Sequence, residues 1–229
     1  TRQQVILAVF LLSGIAFFLH HLLLRLKIVL KGKSDFSVDE LPKRIVRVFD
    51  EVILHKKVAS GNRKSAGILH ALVMYGFIFF GLITINHFGM AFGFPIFSES
   101  FRHTYFLIFG APWAFLCTIG ILGLAYRRFV IKPEALGKFS STSALVSVFI
   151  VTLMTTYLID ELHILSGVAE KFNWWLHSGV IGGFLFLIPQ SKHMHLVLSP
   201  FNIFLRPFEV PNHGAIPIDM EASEEELDN

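Results

Sequence analysis

The residues in this chain least at home in their surroundings are histidines. There are eleven, and several sit in or at the ends of strongly apolar stretches. The stretch 174–195, WWLHSGVIGGFLFLIPQSKHMH, is opened by His177 and closed by His193 and His195. A second stretch, 66–81, AGILHALVMYGFIFFG, carries His70, and His87 follows it. Ionisable side chains inside membrane-length apolar segments are costly and point to function. Neutral imidazole is also the commonest metal ligand. His177 and His195 are 18 residues apart. In one continuous helix that is five turns, which puts both on one face about 27 Å apart. His70 and His87 are 17 residues apart, about 25 Å along a helix, with the second turned about 100° from the first. If the two helices run antiparallel, His70 meets the depth of His195 and His87 that of His177. Two stacked pairs of facing imidazoles are the axial ligands that two haem b groups need inside a membrane. The angular mismatch requires the His70/His87 helix to tilt or rotate, and Pro189 is expected to kink the other. Gly76, Gly81, Gly179, Gly182 and Gly183 leave room for a porphyrin. Arg63, Lys64, Arg128 and Lys192 are candidate partners for its propionates. His193 lies off the face of His195 and is assigned, with Lys192, to the membrane surface.

These ligands require long helices. The composition is 53% hydrophobic with 25 Phe, too apolar for an ordinary soluble domain. Five apolar stretches stand out, at 5–24, 66–86, 105–126, about 143–159, and from 174 to 189 or slightly beyond. A helix crosses a membrane with about 20 mostly apolar residues. The expected fold is therefore an all-α integral membrane protein with five transmembrane helices. The first stretch is too long for the core of a signal peptide, and no small-residue cleavage site follows it. Lys and Arg crowd 27–66 and 127–140, whereas the other two connections carry only Arg102 and Lys171. The positive-inside rule then places the N-terminus outside and the C-terminus inside. Within 27–66, Leu41, Ile45, Val48 and Val52 follow helical spacing after a Ser37 cap, with Pro42 in the first turn. This reads as an amphipathic helix on the membrane surface or against a cytoplasmic partner. The net charge of +3 reflects this sidedness and contact with anionic lipid, with no call for nucleic acid.

Cys117 is the one cysteine, so the chain itself supplies neither a disulfide nor the ligands of an iron–sulfur cluster. It reads as a small buried apolar residue. The chain begins with Thr and ends in EASEEELDN, which fits one domain of a longer polypeptide. On that reading 1–207 is the transmembrane haem b domain. Residues 208–229 are an acidic cytoplasmic tail or a linker to an iron–sulfur domain. Asp160, Glu161 and His163 cluster at the far end of the fourth stretch. They are either an ordinary helix end or a group that handles quinone protons. The helix centres are almost purely apolar, which weighs against transport. A haem-free transporter or anchor subunit stays the alternative class.

Residues 176–207, LHSGVIGGFLFLIPQSKHMHLVLSPFNIFLRP, resemble the last membrane helix of the respiratory nitrate reductase gamma subunit family, through the 18-residue histidine spacing and a P-x-S-[KR]-x-x-H element. The chain is more similar still to the membrane domain of heterodisulfide-reductase-related iron–sulfur oxidoreductases, as AGILHALVMYGFIFFG and YRRFVIKPEAL (126–136) also fit. The resemblance covers about 60–207. It implies bis-histidine haem b groups and carries over His70, His177 and His195. The second ligand on the His70 helix falls at Phe80 in the nitrate reductase pattern; His87 replaces it on grounds of depth, with His163 as the rival, and if neither ligates only the inner haem is bis-histidine. The resemblance also implies an activity. The chain would be the membrane part of a quinone-linked oxidoreductase in a bacterial or archaeal cytoplasmic membrane. Electrons would pass between a cytoplasmic iron–sulfur protein or domain, or electron-transfer flavoprotein, and a quinone or menaquinone pool. The iron–sulfur clusters would lie on a partner or a further domain.

Overall fold

A computed structural model describes residues 1–29, 31, 38–56, 64–137 and 139–208. The expected Ser37 cap, Lys33, Lys57, Arg63, His213 and the acidic tail from 209 lie outside the described residues. Every regular element among the described residues is helical. Long apolar runs have little alternative in lipid, where each backbone N–H and C=O must be satisfied within the segment. The elements are α1 (Arg2–Val29), α2 (Leu41–Val48), α3 (Lys64–Ala91), α4 (Glu99–Tyr105), α5 (Ala111–Tyr126), α6 (Ser141–Glu161), α7 (Gly167–Leu187) and α8 (His195–Leu205). One π turn, Phe106–Gly110, joins α4 to α5, and another, Arg127–Ile131, extends α5. Ser98 caps α4 by accepting from the Phe101 N–H, and Ser140 caps α6 by accepting from the Ser143 N–H.

Among the described residues, four helical segments are long and apolar enough to cross a membrane: Arg2–Ile28, Lys64–Ala91, Glu99–Ile131 and Ser141–Glu161. This is the pattern of a multi-pass membrane protein, and the outward-facing side chains agree with it. Val9, Leu12, Phe115 and Ile119 are all exposed, which lipid tolerates and water does not. The expected fifth span corresponds to α7. Its 21 residues give it membrane length at about 1.5 Å per residue. Its first turns carry Glu170, Lys171, Asn173 and His177, so it is not apolar enough to count beside the other four.

The long helices alternate in direction. The Gln4 side chain donates to the Ala91 carbonyl (2.9 Å), which joins the start of α1 to the end of α3. Arg102 at the start of α4 holds Glu161 at the end of α6 with two bonds of 2.8 Å. Close packing runs from α3 to α5, α5 to α6, α6 to α7, and α7 to α1. The core between these helices contains Ala114, Cys117, Ile121, Val146, Ile150, Met154, Val180 and Phe184. Glycines set how near the helices come. A Cβ at Gly120 would lie 2.8 Å from the Leu69 carbonyl oxygen, and one at Gly76 2.8 Å from the Cys117 sulfur. Gly182 is filled against by Phe10, and Gly183 by Phe149. Three of the glycines expected to make room for a porphyrin, Gly76, Gly182 and Gly183, are thus used for helix packing. A Cβ at Gly81 or Gly179 would meet nothing within 4 Å.

The expected last helix does not run unbroken to His195. α7 ends at Leu187, residues 188–190 turn, and Ser191 opens a short 3-10 turn whose His193 N–H it accepts (3.2 Å). Pro189 is the physical cause: it has no N–H, and its ring excludes the carbonyl four residues back. α8 then starts at His195 and packs on α2. The α2 contact is anchored by a charged residue, and of the expected apolar stripe Val48 and Val52 are half-buried while Leu41 is exposed. The buried Arg44 guanidinium donates to the Phe204 carbonyl (2.8 Å), while Ile45 and Phe49 stay exposed. Below, the end of the bundle that carries α2 and α8 is called the α2 end, and the other the far end.

The glycine geometry makes a direct prediction. Gly120→Val places a side chain against a backbone oxygen that has no freedom to move aside. It should cost about 1–3 kcal/mol and lower the melting temperature of the detergent-solubilised protein. Gly81→Ala should leave the melting temperature unchanged or slightly raised, since alanine favours a helix by up to about 1 kcal/mol over glycine.

Candidate functional site

α3 and α7 are not among the closely packed helix pairs. They face each other across a gap and meet through side chains. At the far end, the His87 ring on α3 lies 5.1 Å from the His177 ring on α7, centre to centre. At the α2 end, the His70 ring on α3 lies 6.0 Å from the His195 ring at the start of α8. Between the two pairs the gap opens into an apolar cavity of about 230 Å³, lined by Phe77, Phe80, Gly81, Ile150, Met154 and Phe184 among others. Phe80 packs edge-on against Tyr157 at 5.0 Å. The break at Pro189 resolves the angular mismatch seen in the spacing. α3 remains one helix, with His70 and His87 on different faces. His195 is freed from the face of His177 because it belongs to another helix.

The hydrogen bonds fix which ring nitrogens are bare. His195 Nδ1 donates to the Lys192 carbonyl (2.9 Å), which leaves Nε2 as the acceptor nitrogen of a neutral ring. The Thr156 hydroxyl spends its hydrogen on the Thr152 carbonyl (2.7 Å). It therefore accepts from His177 Nδ1 (2.7 Å), and His177 Nε2 is bare as well. Asn173 ties the same turn together by donating to the Thr156 carbonyl (2.9 Å). His70 Nδ1 is 3.3 Å from His55 Nε2. His55 Nδ1 donates to the Val52 carbonyl (2.6 Å), so in the neutral ring Nε2 accepts the His70 Nδ1–H, and His70 Nε2 is bare. His87 is different. Its Nε2 bonds to the Ser178 hydroxyl (3.0 Å) and its ring stacks on Trp174 at 5.2 Å.

This donor set suits a bis-histidine haem. Metal–imidazole bonds of about 2.0–2.1 Å put the centres of two opposed rings about 6 Å apart, close to the His70–His195 separation. An iron-ligating histidine donates its other N–H to a fixed acceptor, as His70, His177 and His195 do. The far-end pair fits less completely: its rings are 5.1 Å apart, short of that spacing, and His87 has to release Ser178 or present Nδ1. Among the described residues no group of three or more His, Cys, Asp or Glu converges on a metal-ion site, so the arrangement is one of pairs. Lys192 and Arg128 lie beside the α2-end pair. Burial, and then the Arg128 guanidinium, lower the Lys192 ammonium's pKa, a strain that a propionate would relieve. Burial, and then Lys192, push the His193 imidazole down to about 4.

A second cavity, of about 270 Å³, opens at the far end beside His87 and His177. Asp160, Glu161 and His163 all line it. Glu161 gives both oxygens to Arg102, which also holds Glu99 (2.7 Å). His163 is exposed and adopts φ +50°. It shares the cavity with His177, but it is His87 whose ring touches that of His177. His55, Thr156 and Ser178 were not singled out from the sequence. Thr156 and Ser178 carry no pattern signal, and His55 sits in a charged connection where a histidine is unremarked.

No protein-family model matches the chain, and no solved structure matches it. The chain is 29% identical over 217 residues to the probable iron–sulfur-binding oxidoreductase FadF of Bacillus subtilis (strain 168). The match covers 81% of this chain and 30% of that protein, so the chain spans about a third of the relative's length. The similarity makes this chain a distant relative of an iron–sulfur-binding oxidoreductase.

Proposed function

We propose that the chain is a membrane cytochrome b-type electron-transfer domain of a quinone-linked oxidoreductase. The observation that carries the reading is the pairing of His70 with His195 and of His87 with His177 across the α3–α7 gap. The oxidoreductase named by the distant relative, and its iron–sulfur binding, support an electron-transfer role next to an iron–sulfur protein or domain. On this reading α7 is the fifth span, the α2 end faces the cytoplasm, and the bundle is nitrate reductase gamma-like. The iron–sulfur clusters sit on a cytoplasmic partner or a further domain, which electron-transfer flavoprotein can feed. Haem b supplies one-electron transfer when bound.

The residues of the chain divide the work. His70 and His195 would hold a haem at the α2 end, and His177 with His87 would hold one at the far end. Gly81 leaves the gap open. Lys192 and Arg128 compensate propionate charge. Quinone reduction and oxidation move protons as well as electrons. In the far-end cavity Glu161 is held by Arg102, which leaves the Asp160 carboxylate and the His163 ring to take or return protons at the quinone oxygens.

Purified protein should show a Soret band and a reduced α-band, with about two b haems per chain. His195→Ala and His70→Ala should each remove the same haem and spare the other. His87→Ala should remove the second, while His163→Ala keeps both; the reverse result moves the ligand to His163. A chain without a Soret band would contradict the reading and favour a haem-free anchor or transporter.

Asp160→Asn tests the proton role separately. It should leave the haem spectrum intact and slow haem reduction by added quinol by about 10²-fold. An unchanged rate would remove Asp160 from quinone chemistry.

A further inference from the structure

The connection that precedes α3 reaches back onto the first histidine pair. After the π turn Phe49–Ile53, the chain folds so that His55 is 5% exposed and takes φ +52°, a left-handed conformation uncommon for a residue other than glycine. Three contacts hold it there. Its Nδ1 donates to the Val52 carbonyl (2.6 Å), and its ring lies against Tyr75 at 6.2 Å. The Tyr75 hydroxyl, one and a half turns along α3 from His70, donates to the Ile53 carbonyl in the same π turn. The remaining nitrogen, Nε2, is left to face His70 Nδ1 at 3.3 Å. The element before it, α2, is fastened to α8 by Arg44 at the Phe204 carbonyl. One short segment therefore spans α3, which carries His70, and α8, which begins with His195.

A fixed acceptor on the far nitrogen of a ligating imidazole sets its tautomer, aims the ring and raises the basicity of the ligating nitrogen. We propose that His55 is the positioning residue for His70: it accepts the His70 Nδ1–H and so presents His70 Nε2 as a basic axial ligand at the α2 end. The proposal rests on the haem reading given above. It separates His55 from Arg44, Arg47 and Lys56 of the same connection, which bind backbone carbonyls or carboxylates. A more basic axial imidazole favours the ferric state, so the strength of the acceptor at position 55 should be read directly in the reduction potential of one haem.

The test uses the full chain in detergent, with His55→Gln, His55→Leu and His55→Glu, and potentiometric titration of the reduced spectrum. Gln keeps a carbonyl acceptor, Leu removes it, and Glu supplies a stronger one. The haem that is lost in His70→Ala should rise in midpoint potential with Leu, fall with Glu and stay near wild type with Gln. The other haem should not move. Equal potentials in all three variants at full haem content would overturn the proposal, as would Leu and Glu shifting in the same direction, the mark of a merely structural residue. Should the Leu variant fail to fold, a potential lowered with Glu and unmoved with Gln still decides. Wild-type protein without haem would remove this inference together with the reading beneath it, whereas haem-replete variants with unmoved potentials would remove this inference alone.

Discussion

α3 and α7 stand on opposite sides of a gap because each is claimed by another neighbour. Glycines at 76 and 120 draw α3 onto α5, and Gly182 and Gly183 bring α7 against Phe10 of α1 and Phe149 of α6. With α5 and α6 as the wall between them, α3 and α7 are left facing each other at side-chain distance. Everything chemical in the bundle hangs on that separation. It leaves Gly81 lining an open cavity, and it lets rings rather than backbones meet at both ends. Closing the gap would bury four imidazoles in an apolar core with too few partners, at several kcal/mol by the usual cost of unpaired polar groups.

The polar groups near the gap are correspondingly well provided for. Thr156, Ser178, His55 and the Lys192 carbonyl each take one ring nitrogen of a paired histidine. Three of the four paired rings end with Nδ1 committed and Nε2 bare, the form in which imidazole ligates a metal. The fourth, His87, is committed the other way. The two ends of the gap are thus unequal: the α2 end is organised around a histidine pair with both Nε2 atoms bare, and the far end around a pair beside a charged cavity. That inequality suits a path with electron exchange toward a protein partner at one end and proton-coupled chemistry at the other.

Much of this was legible in the sequence, and the reasons are particular. Apolar length located every long helix, because in lipid a backbone without water has to bond to itself. Depth matched His70 with His195 and His87 with His177, since rise per residue is nearly constant. Rotation was not legible. Counting 100° per residue from His177 to His195 assumes one helix, and Pro189 ends that helix before the count is complete. The role of individual glycines was equally hidden, because a small residue that admits a neighbouring helix and one that faces a void look alike in sequence. α2 showed its amphipathic period, yet it docks through Arg44 to backbone carbonyls, a contact no hydrophobic pattern announces. His55 is the extreme case: its position depends on a left-handed φ and a π turn, and nothing in its neighbours' residue types foretells either.

Low-temperature electron paramagnetic resonance of the oxidised, purified chain tests the central claim most directly, because it reports the axial ligands of the iron itself. The account predicts low-spin ferric signals of bis-imidazole type, with the α2-end signal abolished by His195→Ala. A spectrum with no ferric signal, or with only high-spin iron that His195→Ala leaves unchanged, would contradict it.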